Sequence, residues 1–179
     1  MTTYVALLRG INVGGKKRVP MQTLREMLTD MGCEAVRTHL NSGNAVFTHT
    51  ETDEGVLATA LEGAIERELG FSVTCLVRDA AEMRRVVDAD PFAGRVVDPS
   101  RFLVIFLGGP ADPATVADLD PAAYAPEEFA LGEREVYLHC AEGIRDSKLA
   151  KVLTERRLGT AGTARNWNTV TKLADMARG

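Results

Sequence analysis

The chain has 179 residues, 45% of them hydrophobic and 26% charged, which suits a globular protein able to bury a core as one domain or two small ones. Its net charge of −4 and pI of about 5.4 argue against general nucleic-acid affinity, and no apolar run approaches the ~18 residues that span a bilayer. Cys33, Cys75 and Cys140 lack the number and spacing of a disulfide framework or zinc ribbon, and Met1–Gly10 reads as a first strand with no secretory leader, so a reducing cytoplasm is the expected compartment.

In chain order, residues 3–9 read as a strand that is apolar on both faces, with Val5 and Leu7 on one side and Tyr4, Ala6 and Leu8 on the other. Such a strand needs cover on both sides. Arg9 to Pro20 is a glycine-rich, cationic loop. Pro20 at a first helical position opens a helix whose Met21, Leu24, Met27, Leu28 and Met31 share a face, and Gly32 closes it. Residues 34–40 and 44–49 read as strands joined by a tight turn at Asn41-Ser42-Gly43. Thr52 or Asp53 caps a second helix with an apolar stripe from Val56 to Ile65, ended by Gly70. Phe71 to Arg78 reads as the fourth strand. The order β-α-β-β-α-β predicts a ferredoxin-like sheet over residues 1–78.

Residues 79–179 are expected to form a second, smaller subdomain packed closely on the first, giving an α+β protein. Asp79 with Glu82 makes a capping box for a helix to about Ala89, stopped by Asp90-Pro91. Arg101 to Leu107 holds six consecutive apolar positions and predicts a buried strand, and Asp112-Pro113 starts a short helix. Residues 127–131 and 134–140 read as a hairpin. A C-terminal helical pair follows, one helix capped by Asp146 or Ser147 and running through Arg157 to Gly159, the other from about Asn166 to Ala177.

Charge is spread unevenly along these elements. Residues 1–43 carry six Lys/Arg against three Asp/Glu (+3), residues 44–142 seven against nineteen (−12), and residues 143–179 eight against three (+5). The basic ends point to an anionic partner, and the acidic middle reads as solvated surface.

Several chemistries fail on residue type. Gly10, Gly15 and Lys16 match seven positions of a P-loop, but Lys17 stands where Ser or Thr would hold magnesium, and the helix starts too late. No G-x-G-x-x-G follows a strand. RNA-recognition modules share the strand order, yet Asn44 and Val46 occupy the third strand where stacking aromatics belong, so Tyr4 and Phe47 read as core and nucleic-acid binding is disfavoured. His39, His49 and His139 lack metal-ligand spacing, Cys75 alternates with Val73 and Val77 as a core residue does, and no acid/base pair stands out. No metal, cofactor or membrane association is expected, and the pattern leaves open whether the chain is an enzyme.

The strings YVALLRGINVGGKKRVPM, RTHLNSGNAVF, SKL and TARNWNTVTKL strongly resemble the family known only as "domain of unknown function 1697". The resemblance covers nearly the whole chain. It implies an intracellular α+β protein with a ferredoxin-like first part and no established reaction. Ala164 and the Arg145-Asp146 pair depart from the family pattern.

What remains is a binding expectation. The Asn166–Thr169 segment is read as the start of the last helix, where free N–H groups and a positive dipole end can receive an anion. Arg165 adds a guanidinium fork and Trp167 a ring for stacking. The expected site joins the RGINVGGK loop, the Asn41–Asn44 turn and this helix start around a small phosphate- or carboxylate-bearing ligand. Arg9, Lys16, Lys148 and Arg165 would supply charge, and Gly14 and Gly15 backbone donors. Asn12, Asn41, Ser42, Asn44, Asn166, Asn168 and Thr169 would supply neutral hydrogen bonds, with Trp167 alongside. The alternative is a non-enzymatic scaffold or protein-interaction module in which these strings are structural, and weaker still is single-stranded nucleic-acid binding.

Overall fold

The computed structural model describes residues 1–179 as a mixed α+β protein with two antiparallel four-stranded sheets and six helices. The chain forms two compact units, Met1–Arg85 with Lys172–Gly179, and Val86–Thr171.

In the first unit, β1 (Thr2–Leu8), β2 (Glu34–Thr38), β3 (Asn44–His49) and β4 (Cys75–Asp79) stand in the order β2-β3-β1-β4, every pair antiparallel. β1 lies centrally because Tyr4 to Leu8 are all buried, which leaves no face for solvent. Helices α1 (Met21–Asp30) and α2 (Glu54–Leu69) pack on one face of this sheet. Leu24, Met27 and Leu28 of α1 and Leu57, Leu61 and Ile65 of α2 meet Tyr4, Ala6, Leu8, Phe47 and Val77 there. The other face carries Val5, Leu7 and Val46, with the polar Asn44 and Arg78 buried among the same rows. On that face Arg37, paired with Val46, donates to the Met176 carbonyl at 2.6 Å.

The ends of α2 follow the sequence. The Asp53 carboxylate accepts from the N–H groups of Gly55 and Val56, and Gly70 ends the helix in the left-handed conformation at φ 78°. The strand expected from Phe71 is shorter and starts at Cys75. At its end Asp79 accepts from Glu82 N at 2.7 Å and opens α3 (Ala80–Asp88), but only half of the expected capping box forms, because Asp79 N donates to Glu54 Oε1 at 2.8 Å and not to Glu82.

The second unit's sheet has the order β6-β7-β5-β8, from β5 (Phe102–Leu107), β6 (Glu128–Leu131), β7 (Glu135–His139) and β8 (Gly162–Asn166). β5 is central, paired antiparallel to β7 and β8. Leu103, Leu107, Val136 and Leu138 face a core shared with Leu149, Leu153 and Leu158. Phe102, Val104, Phe106 and Tyr137 line the opposite face, and the Tyr137 hydroxyl donates to Val86 O at 2.7 Å.

Three local expectations change here. The helix expected from Ser147 to Arg157 is broken into α4 (Lys148–Val152) and α5 (Glu155–Leu158), because Leu153 leaves helical geometry and Thr154 caps a new turn. The short helix expected to start at Asp112-Pro113 is there as a single 3-10 turn, Pro113–Val116, and an unexpected second one follows at Pro121–Tyr124, the two capped by Asp112 and Asp120. The last helix, α6 (Trp167–Ala177), is preceded directly by a strand, so Arg165 belongs to β8, while Asn166, the strand's last residue, stands at the helix start as its cap. β8 has few apolar residues, and its pairing with the open edge of β5 is what makes it a strand.

Replacing Asp53 by Ala should lower unfolding stability by about 1 kcal/mol through loss of the α2 cap. Urea titration of both proteins checks this.

Candidate functional site

The glycine-rich loop is a small β-hairpin. Asn12 N donates to Lys17 O at 3.1 Å and Lys16 N to Val13 O at 3.1 Å, so Gly14-Gly15 is a two-residue turn. Both glycines have positive φ, 60° and 73°, as a type I′ turn requires. The turn explains why the lysine-rich string cannot act as a P-loop: its backbone closes on itself ahead of α1.

Asn12 fixes the hairpin's base. Its Oδ1 accepts from Val19 N at 2.8 Å, and its Nδ2 donates to Val19 O at 2.9 Å and to Asn41 O at 2.7 Å. The Asn41 contact ties the loop to the β2–β3 turn. Two main-chain bonds continue the sheet into the loop, Leu8 N to Gly43 O and Arg9 N to Thr74 O. Gly43 has φ 92°, and a Cβ there would stand 2.7 Å from Ile11 Cδ1 and 2.8 Å from Leu8 Cβ. Asn44 is fully buried and donates to His39 O and to the Ser42 hydroxyl.

These bonds leave the hairpin's charges outward. Arg9, Lys16, Lys17 and Arg18 are exposed, and no acidic residue precedes Glu26. The Lys17 ammonium donates to Ser72 O at 2.8 Å. Beside the hairpin lies an open cleft of about 550 Å³ lined by Asn12, Gly15, Arg18, Val19, Pro20 and Asn41. Arg9, Asn12, Gly14, Gly15, Lys16, Asn41, Ser42 and Asn44 are thus gathered in the first unit.

The other named residues belong to the second unit. Arg165 is 7% exposed on β8, opposite Val104, and its Nη1 donates to the Thr163 hydroxyl at 2.7 Å and to Ala164 O at 2.9 Å. Burial pulls its pKa down to about 10. Asn166 Oδ1 accepts from Thr169 N at 3.0 Å and caps α6. Trp167 lies stacked on Phe102, ring centroids 4.3 Å apart and planes within 4°. Thr169 is buried and Asn168 exposed. Lys148 opens α4 with its backbone N–H on Glu127 Oε1 at 2.9 Å.

Tyr4 and Phe47 are core residues on the helix-covered face, and the Tyr4 hydroxyl donates to Glu51 O at 2.6 Å. His49 accepts from Glu51 N on Nδ1, a local turn contact. The three thiols are buried and unbridged. Burial raises Cys33 to about 11 and raises Cys140, and burial with the nearby Glu62 carboxylate raises Cys75 further. Thiolate chemistry at neutral pH is therefore disfavoured at all three.

Arg18, which is not among the residues expected from the sequence, shares the cleft with Asn12 and Asn41. The Gly-Gly pair was the available signal, since a two-residue turn sets Asn12 against Lys17 and brings Arg18 back toward the loop's origin.

The profile described as "Protein of unknown function (DUF1697)" matches residues 1–137. The chain belongs to this family. Among solved structures it is similar to the conserved bacterial protein SP0830 from Streptococcus pneumoniae, at 28% identity and a TM-score of 0.79. That match covers 98% of each chain, so the likeness extends past the profile's end at residue 137. No curated protein matches the chain.

Gly43→Ala should destabilise the protein by about 3 kcal/mol through left-handed strain and overpacking, read by urea unfolding. In Ellman's titration at pH 8 all three thiols should stay silent in the folded protein and react on unfolding; rapid reaction of the folded protein would contradict their burial.

Proposed function

We propose that the chain is a cytoplasmic binding protein for a small phosphate- or carboxylate-bearing anion, taken at the hairpin cleft of a ferredoxin-like first unit. The observation that carries this reading is the cleft bounded by Arg18 and the Asn12 and Asn41 segments, in a stretch with four exposed cations and no acid before Glu26. Long-range attraction and direct hydrogen bonding act together on an anion in such a place. The strand order β2-β3-β1-β4 with both helices on one face supports the ferredoxin-like framework. Three unbridged, buried thiols agree with a reducing compartment. In the second unit the buried Arg165 guanidinium is a separate candidate for an anion contact, tested by its own variant.

One observation favours a scaffold role instead. Asn12 spends its carboxamide on three bonds within the chain, as a residue retained for loop geometry would.

A thermal-shift screen separates the readings. The panel holds nucleotides, sugar phosphates, dicarboxylates and short single-stranded RNA, applied to wild type, Arg18→Ala and Arg165→Ala. A ligand at about 100 times its dissociation constant adds about 2.7 kcal/mol, which raises Tm by roughly 5–10 °C for a chain of this size. A shift with a small anion that Arg18→Ala removes is the expected result. No shift with any compound supports the scaffold, and a shift with RNA alone, lost steeply with salt, supports nucleic-acid binding.

A further inference from the structure

The second unit holds a separate cleft of about 530 Å³, within the range of ~300–1,000 Å³ typical of small-molecule sites. Its apolar wall includes Phe92, Tyr124 and Phe129, and its polar lining is Arg95, Glu127 and Glu128. We infer that this cleft binds a small organic cation of the guanidinium or amidinium type, in the place that the Arg95 side chain now occupies.

Arg95 itself shows what the wall accepts. Its guanidinium carbon lies 5.6 Å from the centre of the Phe92 ring, and its Nη1 donates to both oxygens of Glu128 at 2.7 Å. A flat, delocalised cation is held by these two kinds of contact, a ring face and a carboxylate. The Arg95–Glu128 pair is largely solvent-exposed, at 56% and 41% of the two side chains, so it separates readily. Glu127, by contrast, is fixed. One of its oxygens accepts from the Ser147 hydroxyl and the other from Lys148 N at 2.9 Å, which keeps a second carboxylate in the lining. In the lining two carboxylates, Glu127 and Glu128, stand against the single cation Arg95. Charge and aromatic content both select a cation with an apolar body over an anion.

The test is isothermal titration of the whole chain with benzamidine and, for comparison, benzoate, a ring of the same size and opposite charge. Benzamidine should bind and benzoate should not. Arg95→Ala should tighten benzamidine binding several-fold, because it removes an internal competitor while leaving Phe92 and Glu128 in place. Glu128→Gln should weaken binding about tenfold through loss of one charge-assisted contact. An Arg95 with a purely structural role would give the opposite sign. Equal binding of the two probes, weaker binding to Arg95→Ala at unchanged Tm, or no heat from either wild type or Arg95→Ala would overturn the inference. Arg18→Ala, in the other unit, should leave benzamidine binding unchanged.

Discussion

Two strands buried on both faces, β1 and β5, impose the constraint from which the rest of each unit follows. A strand without a solvent face can satisfy its N–H and C=O groups only between two neighbours. β3 and β4 therefore flank β1, and β7 and β8 flank β5. The short, less apolar strands β2 and β6 take outer positions. In the first unit the same demand continues past the strand's end. Leu8 and Arg9 keep their N–H groups paired to Gly43 and Thr74, which fixes where the cationic loop leaves the sheet.

The loop illustrates a division of labour among polar residues. Asn12 is spent on main-chain partners, its carboxamide donor and acceptor at once, and Asn44 on the His39 carbonyl and the Ser42 hydroxyl. The cations, which cannot accept hydrogen bonds and are costly to bury, are left at the surface. The second unit solves the same problem differently. Arg165 is buried and answered by a hydroxyl and a carbonyl, while Arg95 rests across an aromatic cleft against Glu128.

Much of the first unit was legible because its signals are local. Apolar period, Asp53 and Gly70 at the ends of α2, and the Asn41–Gly43 turn act over a few residues, and each marks its element in the structure. The second unit was less so. Thr154 restarting a helix, paired aspartates making two 3-10 turns, and β8 assembled from Gly162, Thr163, Ala164, Arg165 and Asn166 have weak patterns of their own. Of the candidate site, the chemistry of the RGINVGGKKR string could be read directly, but the outward display of its charges followed from the two-residue turn at Gly14-Gly15. The Phe92–Arg95–Glu128 cleft had no signal, since its walls come from segments more than thirty residues apart, as the Arg95–Glu128 separation of 33 shows.

The sequence by itself determined the family, the α+β class, the basic character of the first loop and the ends of several helices, because composition and short-range hydrogen bonding suffice for these. Tertiary structure decided that a polar pentapeptide would be a strand, that Trp167 would lie flat on Phe102, and that Lys172–Gly179 would group with residues 1–85. Each of those outcomes depends on what a distant segment leaves unpaired or uncovered, and burial and main-chain pairing across such distances are settled only when the chain is folded.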